Sequence, residues 1–589
     1  MRHRMPPRHC IRQFWLQISL VVLLSGMTAE SLKAQTPNPD QLPAPPPPPQ
    51  DILPPAEPTE AQPQIPEPLP PPEELLTPPQ TPTSPAPIPG KVPENITVKR
   101  FEVVGSTVFS PQELDAVLAP YTNKPIAFTQ LFQARSAITQ LYIDSGYITS
   151  GALIPPQTLR GGVVKIQVVE GSLEAINVTG TRRLKPSYVR SRLPTSIPLN
   201  QKRLLEALQL LQLNPLIQNL SAELTAGTRP GTSVLEIAVT EAKTFNPQLV
   251  ADNGRSPSVG SFRRRAQLNE ANLLGLGDGL SLGYTNTDGS DGLDASYTLP
   301  VNSSNGTLSF AYGDTNSDVI EPPFNTLDIN GDSRYYELTL RQPISQTPTQ
   351  EFALGITAAR RESEITSSVL ENFNVPPSEL SPGADEQGRT RISALQFFQE
   401  WTSRNSREVI AARSQFNIGI GAFDATINTD APDSRFLAWR GQAQWVRLLA
   451  PDTLLLVRGD VQLSPDQLVP IEQFGLGGIE SVRGYRQDAL LADNGALVSA
   501  EVRLPIYRQS RRRLIVQLTP FVDFGTAWNS GGANPDNNTL VSLGLGLRFQ
   551  LGDRLTARID WGIPLVDIST RERTWQENGV YFSIVSSPF

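Results

Sequence analysis

The chain has 589 residues, enough for several domains, and its net charge of -8 comes from interspersed acids and bases, so it offers no basic footprint for nucleic acid. Mean hydropathy is -0.23. No apolar run after residue 25 reaches the ~18 residues of a spanning helix, which argues against a helical membrane protein but not against a β-barrel, whose strands alternate.

Residues 1–34 read as a signal peptide. Arg2, Arg4, Arg8 and Arg12 form a basic start, Phe14 to Leu24 is a short apolar run, and Leu32-Lys33-Ala34 is a cleavage site. The only cysteine, Cys10, and both histidines, His3 and His9, would leave with it. The mature chain then has no cysteine nucleophile, disulfide, histidine base or Cys/His zinc site. No catalytic constellation, metal site or cofactor is expected, and the chain does not read as an enzyme.

Residues 35–94 form a Pro-rich linker, with 24 prolines between Thr36 and Pro93. Proline fixes φ and lacks the amide donor, so the stretch reads as an extended spacer rather than part of a sheet or helix core.

Residues 95–172 read as a compact α+β unit. Ile96 to Val104 is a strand ended by Gly105. Ser110-Pro111-Gln112-Glu113 opens a helix with a cap, proline at its first position and an acidic first turn. A second helix from about Thr129 to Ser145 carries Leu131, Ala134, Ile138 and Leu141 on one stripe, and Gly146 ends it. Strands follow near Ala152 and at Val163 to Val169. The order β-α-α-β-β repeats over residues 173–243, where Asn200 caps a helix with Leu204, Leu205, Leu208 and Leu211 on one face. Two consecutive units of this order resemble polypeptide-transport-associated (POTRA) domains, and the Glu170-Gly171 junction fits that family.

From residue 244 to 589 the pattern turns to period two. Val541 to Phe549 alternates cleanly, as do Leu280 to Tyr284, Leu308 to Tyr312 and Phe352 to Ala358. Short turns are expected near Asn272, Asn302, Pro343, Pro451 and Gly552, and long loops over 316–332, 362–388 and 422–434. Short turns on one side and long loops on the other mark an outer-membrane barrel, here of about 16 antiparallel strands.

Loop 465–494 is the sixth long one and is expected to fold inward. At its tip stand Val482, Arg483, Gly484 and Tyr485. The strand after next carries Phe521, Asp523 and Gly525. Alternation turns Asp523 toward the lumen, where a carboxylate needs water or a partner, and a guanidinium grips one bidentately. Arg483 is the expected partner.

A (V/I)RG(Y/F) tip with an F-x-D-x-G strand is similar to the signature of the outer-membrane assembly and secretion superfamily. With only two POTRA units, residues 95–589 resemble a two-partner secretion transporter (TpsB) of the haemolysin-activator type. The resemblance implies an outer-membrane pore, surrounded by lipid, with its POTRA domains in the periplasm. Its implied partner is a large secreted exoprotein, adhesin-like or cytolysin-like, bound unfolded and exported without a nucleotide. Many such transporters also plug the pore with an N-terminal helix, for which residues 35–93 are too rich in proline. The alternatives are an outer-membrane assembly and insertion factor, against which two POTRA units argue, and a passive porin, which leaves the periplasmic units unexplained.

The sequence leaves other motifs as loops. Asp328-x-Asn330-x-Asp332 has its glycine misplaced for a calcium loop. Gly275-Leu276-Gly277-Asp278-Gly279 lacks the Lys-Ser/Thr of a phosphate loop and falls in a short turn.

Overall fold

The computed structural model describes residues 75–77, 95–159, 161–568 and 574–588. The signal-peptide reading and most of the Pro-rich linker, including the question of a plug helix, lie outside the described residues.

The first α+β unit departs from expectation at its first strand, which breaks at Lys99. Strand β2 (Asn95–Val98) pairs with an unpredicted β4 (Lys124–Ala127), while β3 (Arg100–Val104) joins a different sheet. The break occurs where the Lys99 and Arg100 amides both turn to the Gly162 carbonyl. Helix α1 (Pro111–Leu118) starts with a reciprocal capping box between Ser110 and Glu113. Helix α2 (Phe128–Asp144) buries Leu131, Ala134, Ile138 and Tyr142 on a three-stranded sheet ordered β3, β6 (Val163–Val169) and β5 (Gly151–Leu153).

The Glu170-Gly171 junction has a local physical cause. Glu170 accepts the Thr107 amide at 2.7 Å and the Tyr142 hydroxyl at 2.9 Å. Burial pushes its carboxyl up, but these hydrogen bonds outweigh burial and hold it below the ordinary value. A Cβ on Gly171 would sit 2.1 Å from the Thr149 hydroxyl, so only glycine fits between the units.

The second unit packs α3 (Pro186–Arg190) and α4 (Gln201–Gln212) on a sheet of β7 (Ser172–Thr179), β8 (Ile217–Ala226) and β9 (Thr232–Glu241). Asn200 caps α4 by accepting the Arg203 amide. A fourth strand comes from the Pro-rich stretch. β1 (Leu76–Thr77) runs parallel to β8, giving the order β1-β8-β9-β7. This corrects the expectation that the stretch adds nothing to a sheet. Leu75, Leu76 and Thr77 interrupt the prolines and regain the missing donors.

Sixteen antiparallel strands close into a barrel among the described residues, from Phe245–Asp252 to Val580–Ser586. Val498, Val522, Phe524, Leu543 and Trp561 face outward and are exposed to lipid. The turn expected near Pro343 falls slightly later, over 347–349. That strand runs on from Ile329 to Gln346 through an irregularity between Pro343 and Ser345, where the ladder does without the proline donor. Two of the long loops are shorter than expected because their strands extend further, to Asp318 and to Ser367, whereas the third spans 421–436.

The glycine-rich turn after the second barrel strand seats the second α+β unit. Gly275 takes φ +82°, and a Cβ there would meet the Arg183 carbonyl at 2.4 Å. The Lys185 amide donates to the Gly275 carbonyl at 2.9 Å, and Arg183 reaches Glu270 at 3.1 Å.

Candidate functional site

The sixth loop connects the eleventh barrel strand (Thr453–Leu463) to the twelfth (Asn494–Gln509) and folds back as a ribbon of Phe474–Leu476 paired with Leu490–Ala492. Phe474, Leu476, Val482, Tyr485, Leu490 and Ala492 form an apolar cluster with Leu497, Ala527 and Leu540 of the wall. The loop therefore carries its own small core into the lumen.

At the tip, Arg483 is fully buried, with 0% of its side chain exposed, as is Asp523. Arg483 Nε donates to Asp523 Oδ2 at 2.7 Å and Nη2 donates to Oδ1 at 2.8 Å. The Arg483 amide reaches the same carboxylate at 3.1 Å. The pairing is the bidentate fork that fixes geometry as well as charge. The guanidinium lies 3.4 Å from the centre of the Phe521 ring, so the aromatic face carries the side of the cation that no carboxylate covers.

The strand motif follows from this packing. Phe521 supplies the ring and Asp523 the carboxylate. A Cβ on Gly525 would stand 2.8 Å from Leu476 and 3.0 Å from Val482, both of the loop. The loop motif follows in the same way. Gly484 adopts φ +103°, and its backbone passes so close to Gly562 of the fifteenth strand (Leu555–Pro564) that a Cβ on Gly562 would meet the Gly484 nitrogen at 2.6 Å. Tyr485 donates from its hydroxyl to the Val541 carbonyl at 2.8 Å and accepts the Val566 amide at 3.1 Å. Val482 is buried in the apolar cluster.

Several partners are not named by the motifs. Ser499 donates to Asp523 at 2.6 Å. Glu501 accepts Arg483 Nη1 at 2.8 Å, Arg503 at 3.0 Å and Arg558 at 2.9 Å. Arg558 also pairs with buried Asp560 at 2.5 Å. The charges alternate in sign across three strands, which is how so many ions lie together out of water. Tyr581 of the last strand accepts the Gly484 amide at 3.1 Å and donates to the Tyr485 carbonyl. Strand alternation places Ser499, Glu501 and Arg503 on the lumen face, so their availability was visible in the sequence. Their convergence on Arg483 was not.

A second anchor lies three residues beyond the tip arginine. Arg486 reaches Glu321 and Ser258 at 3.2 Å, and Glu577 at 3.5 Å, joining the loop to three other inter-strand segments.

An inward loop latched by a buried arginine–carboxylate pair, in a sixteen-stranded barrel preceded by POTRA-like units, defines a class of outer-membrane transport barrels. The family model for haemolysin secretion/activation proteins ShlB/FhaC/HecB matches residues 231–549, and that for the ShlB-type POTRA domain matches residues 96–171. The chain belongs to the ShlB/FhaC/HecB family. It is similar to the outer membrane transporter CdiB of Escherichia coli O6:K15:H31 (strain 536 / UPEC), with 25% identity over 427 residues covering 70% of this chain and 69% of the relative. The heme/hemopexin transporter protein HuxB of Haemophilus influenzae (strain 86-028NP) is 22% identical over 490 residues, covering 79% of this chain and 83% of its own. The solved structure of CdiB from Escherichia coli superimposes with a TM-score of 0.62 at 22% identity, covering 86% of this chain and 92% of that one. The chain is an outer-membrane exoprotein transporter of the two-partner class, with its POTRA region in the periplasm.

Proposed function

We propose that the cargo is a large exoprotein, adhesin-like or cytolysin-like, taken up unfolded in the periplasm by the POTRA units and threaded through the barrel. Residues 1–34 act as a cleaved leader and 35–94 as a periplasmic linker. Residues 95–172 and 173–243 are the two receiving domains, and 244–589 is the pore. Uptake uses sheet-edge addition, in which an extended peptide completes a strand row without sequence-specific side chains. Export uses no nucleotide, and folding of the cargo outside supplies the bias. The chain performs no catalysis.

In this reading Val482, Arg483, Gly484 and Tyr485 form a latch on the wall residues Phe521, Asp523 and Gly525. Cargo entering the lumen displaces or rearranges the loop. The observation that carries the reading is the fully buried Arg483–Asp523 pair, which holds a thirty-residue-scale loop in the space a translocating chain needs.

The test compares surface and released proteins with the gene present and deleted. Loss of one or two very large proteins, with resident barrels unchanged, is the expected result. A joint fall of many outer-membrane barrels identifies an assembly factor instead and overturns the proposal.

A further inference from the structure

The second α+β unit is completed by a strand that is not its own. Leu75 is 1% exposed and Leu76 is 3% exposed, and both belong to the core that contains Leu184, Leu204, Leu208 and Ala222. Leu76 stands opposite Ala222 in a parallel ladder. Remove this segment and β8 becomes an edge strand with an unpaired row of donors and acceptors, beside an apolar cleft shaped for two leucines. The strand is also minimal. It spans Leu76 to Thr77, and prolines at 72 and 78 stand close on either side, where they cannot extend the ladder.

A short, proline-bounded strand with two deeply buried leucines joins both the sheet and the core in the manner of a docked peptide. We propose that the β8 edge is a binding site for an extended peptide carrying an adjacent pair of large aliphatic residues. Leu75–Thr77 is its resident occupant, and an extended apolar segment of the exoprotein takes its place. This rests on the export reading for the identity of the incoming chain, but not for the existence of the site. The resident segment is tethered, so it competes at an effective concentration of about millimolar. A weak free segment is excluded, and only a cargo already concentrated at the periplasmic face displaces it. The linker would thus set a threshold for engagement.

Two experiments test the site and its use separately. The first takes the purified full-length protein in detergent and a fluorescein-labelled synthetic peptide spanning residues 72–79. The peptide is expected to bind the Leu75→Ser/Leu76→Ser variant at least about tenfold more tightly than wild type, because the tethered copy is gone. Equal affinity for both proteins overturns the site. So does absence of binding to the variant while amide exchange in β7 and β9 stays native.

The second locks the segment in place with Leu76→Cys/Ala222→Cys. Adjacent strands lie about 4.8 Å apart, within reach of a disulfide. The native Cys10 falls in the proposed leader. Export is expected to stop on oxidation and to return on reduction. Export at the wild-type rate with the strand fully cross-linked overturns the exchange, yet leaves the export function standing.

Discussion

The sixth loop is held by buried charge, whereas Leu75–Thr77 is held by two leucines and a two-residue ladder. At the loop tip the partners are specific: Arg483 fits Asp523, Glu501 and the Phe521 ring together. At β8, Leu75–Thr77 is held by backbone pairing and apolar contact, the kind of contact that the proposed exchange requires because it needs no sequence-specific side chains. A buried ion pair is costly when half broken, because the remaining charge stays out of water. An apolar strand leaves behind a cleft and an unpaired sheet edge, both of which another strand can fill. The difference suits the two places. In the proposed cycle the lumen needs a latch with a defined closed state, and the periplasmic edge needs an exchangeable seat.

The largest effect should follow from breaking the latch on one side. Asp523→Ala leaves Arg483 buried with Glu501 as its one remaining paired carboxylate and should weaken loop anchoring by about 3–5 kcal/mol. Secretion should fall while the barrel still inserts, and amides in residues 474–492 should exchange faster. Arg483→Ala should behave similarly, and the double variant should cost less than the sum of the singles. Wild-type secretion from both single variants would sink the latch.

Steric intrusion should come next. Gly562→Ala puts a Cβ 2.6 Å from the Gly484 nitrogen, a clash with backbone that no rotamer relieves. Overpacking of this kind costs ~1–3 kcal/mol, read as easier proteolysis of the loop at unchanged barrel content. Unaltered protease resistance would mean that the tip does not need this approach. Tyr485→Phe should be milder. It removes the hydroxyl bonds to Val541 and Val566 but keeps the buried ring, for about 1 kcal/mol, measurable as a small shift in the same proteolysis midpoint.

How much of this was legible depended on distance along the chain. Asp523 was readable because alternation alone sends it inward, and Arg483 because it sits on the tip of a long loop with a recognisable motif. Glu501 was readable as lumen-facing but not as a shared carboxylate. Arg558, Asp560 and Tyr581 come from the fifteenth and last strands and reach the site only when the barrel closes. Gly562 looks like any strand glycine until the loop backbone is laid against it. Gly544 is similar: a Cβ there would stand 2.0 Å from the Phe521 ring. Elsewhere local signals misled. Pro343 reads as a turn but sits at a ladder irregularity, and Ile96 to Val104 reads as one strand but serves two sheets. Leu75-Leu76 disappears among prolines because two residues carry no period.

The smallest predicted effect separates the β8 seat from its surroundings by pH. Glu174 on β7 accepts the Thr228 hydroxyl and the Thr232 hydroxyl, each at 2.6 Å, and so clasps the turn between β8 and β9. These hydroxyl bonds hold its carboxyl down, from 4.5 to about 2. A carboxyl depressed in the folded state contributes stability that is complete above its unfolded value and is lost as pH falls through the folded value. The clasp should therefore be intact above about pH 4.5 and weaken toward pH 2, with amide exchange at Thr228 and Thr232 rising across that window after correction for intrinsic rates. Exchange at Ala222 and Glu223, beside β1, should show no such step, because leucine burial does not titrate. Glu174→Gln should abolish the step at Thr228 and Thr232. If instead the whole of β8 loosens in concert over the same range, then seat and clasp open as one unit, and the resident strand is coupled to the hairpin rather than independently exchangeable.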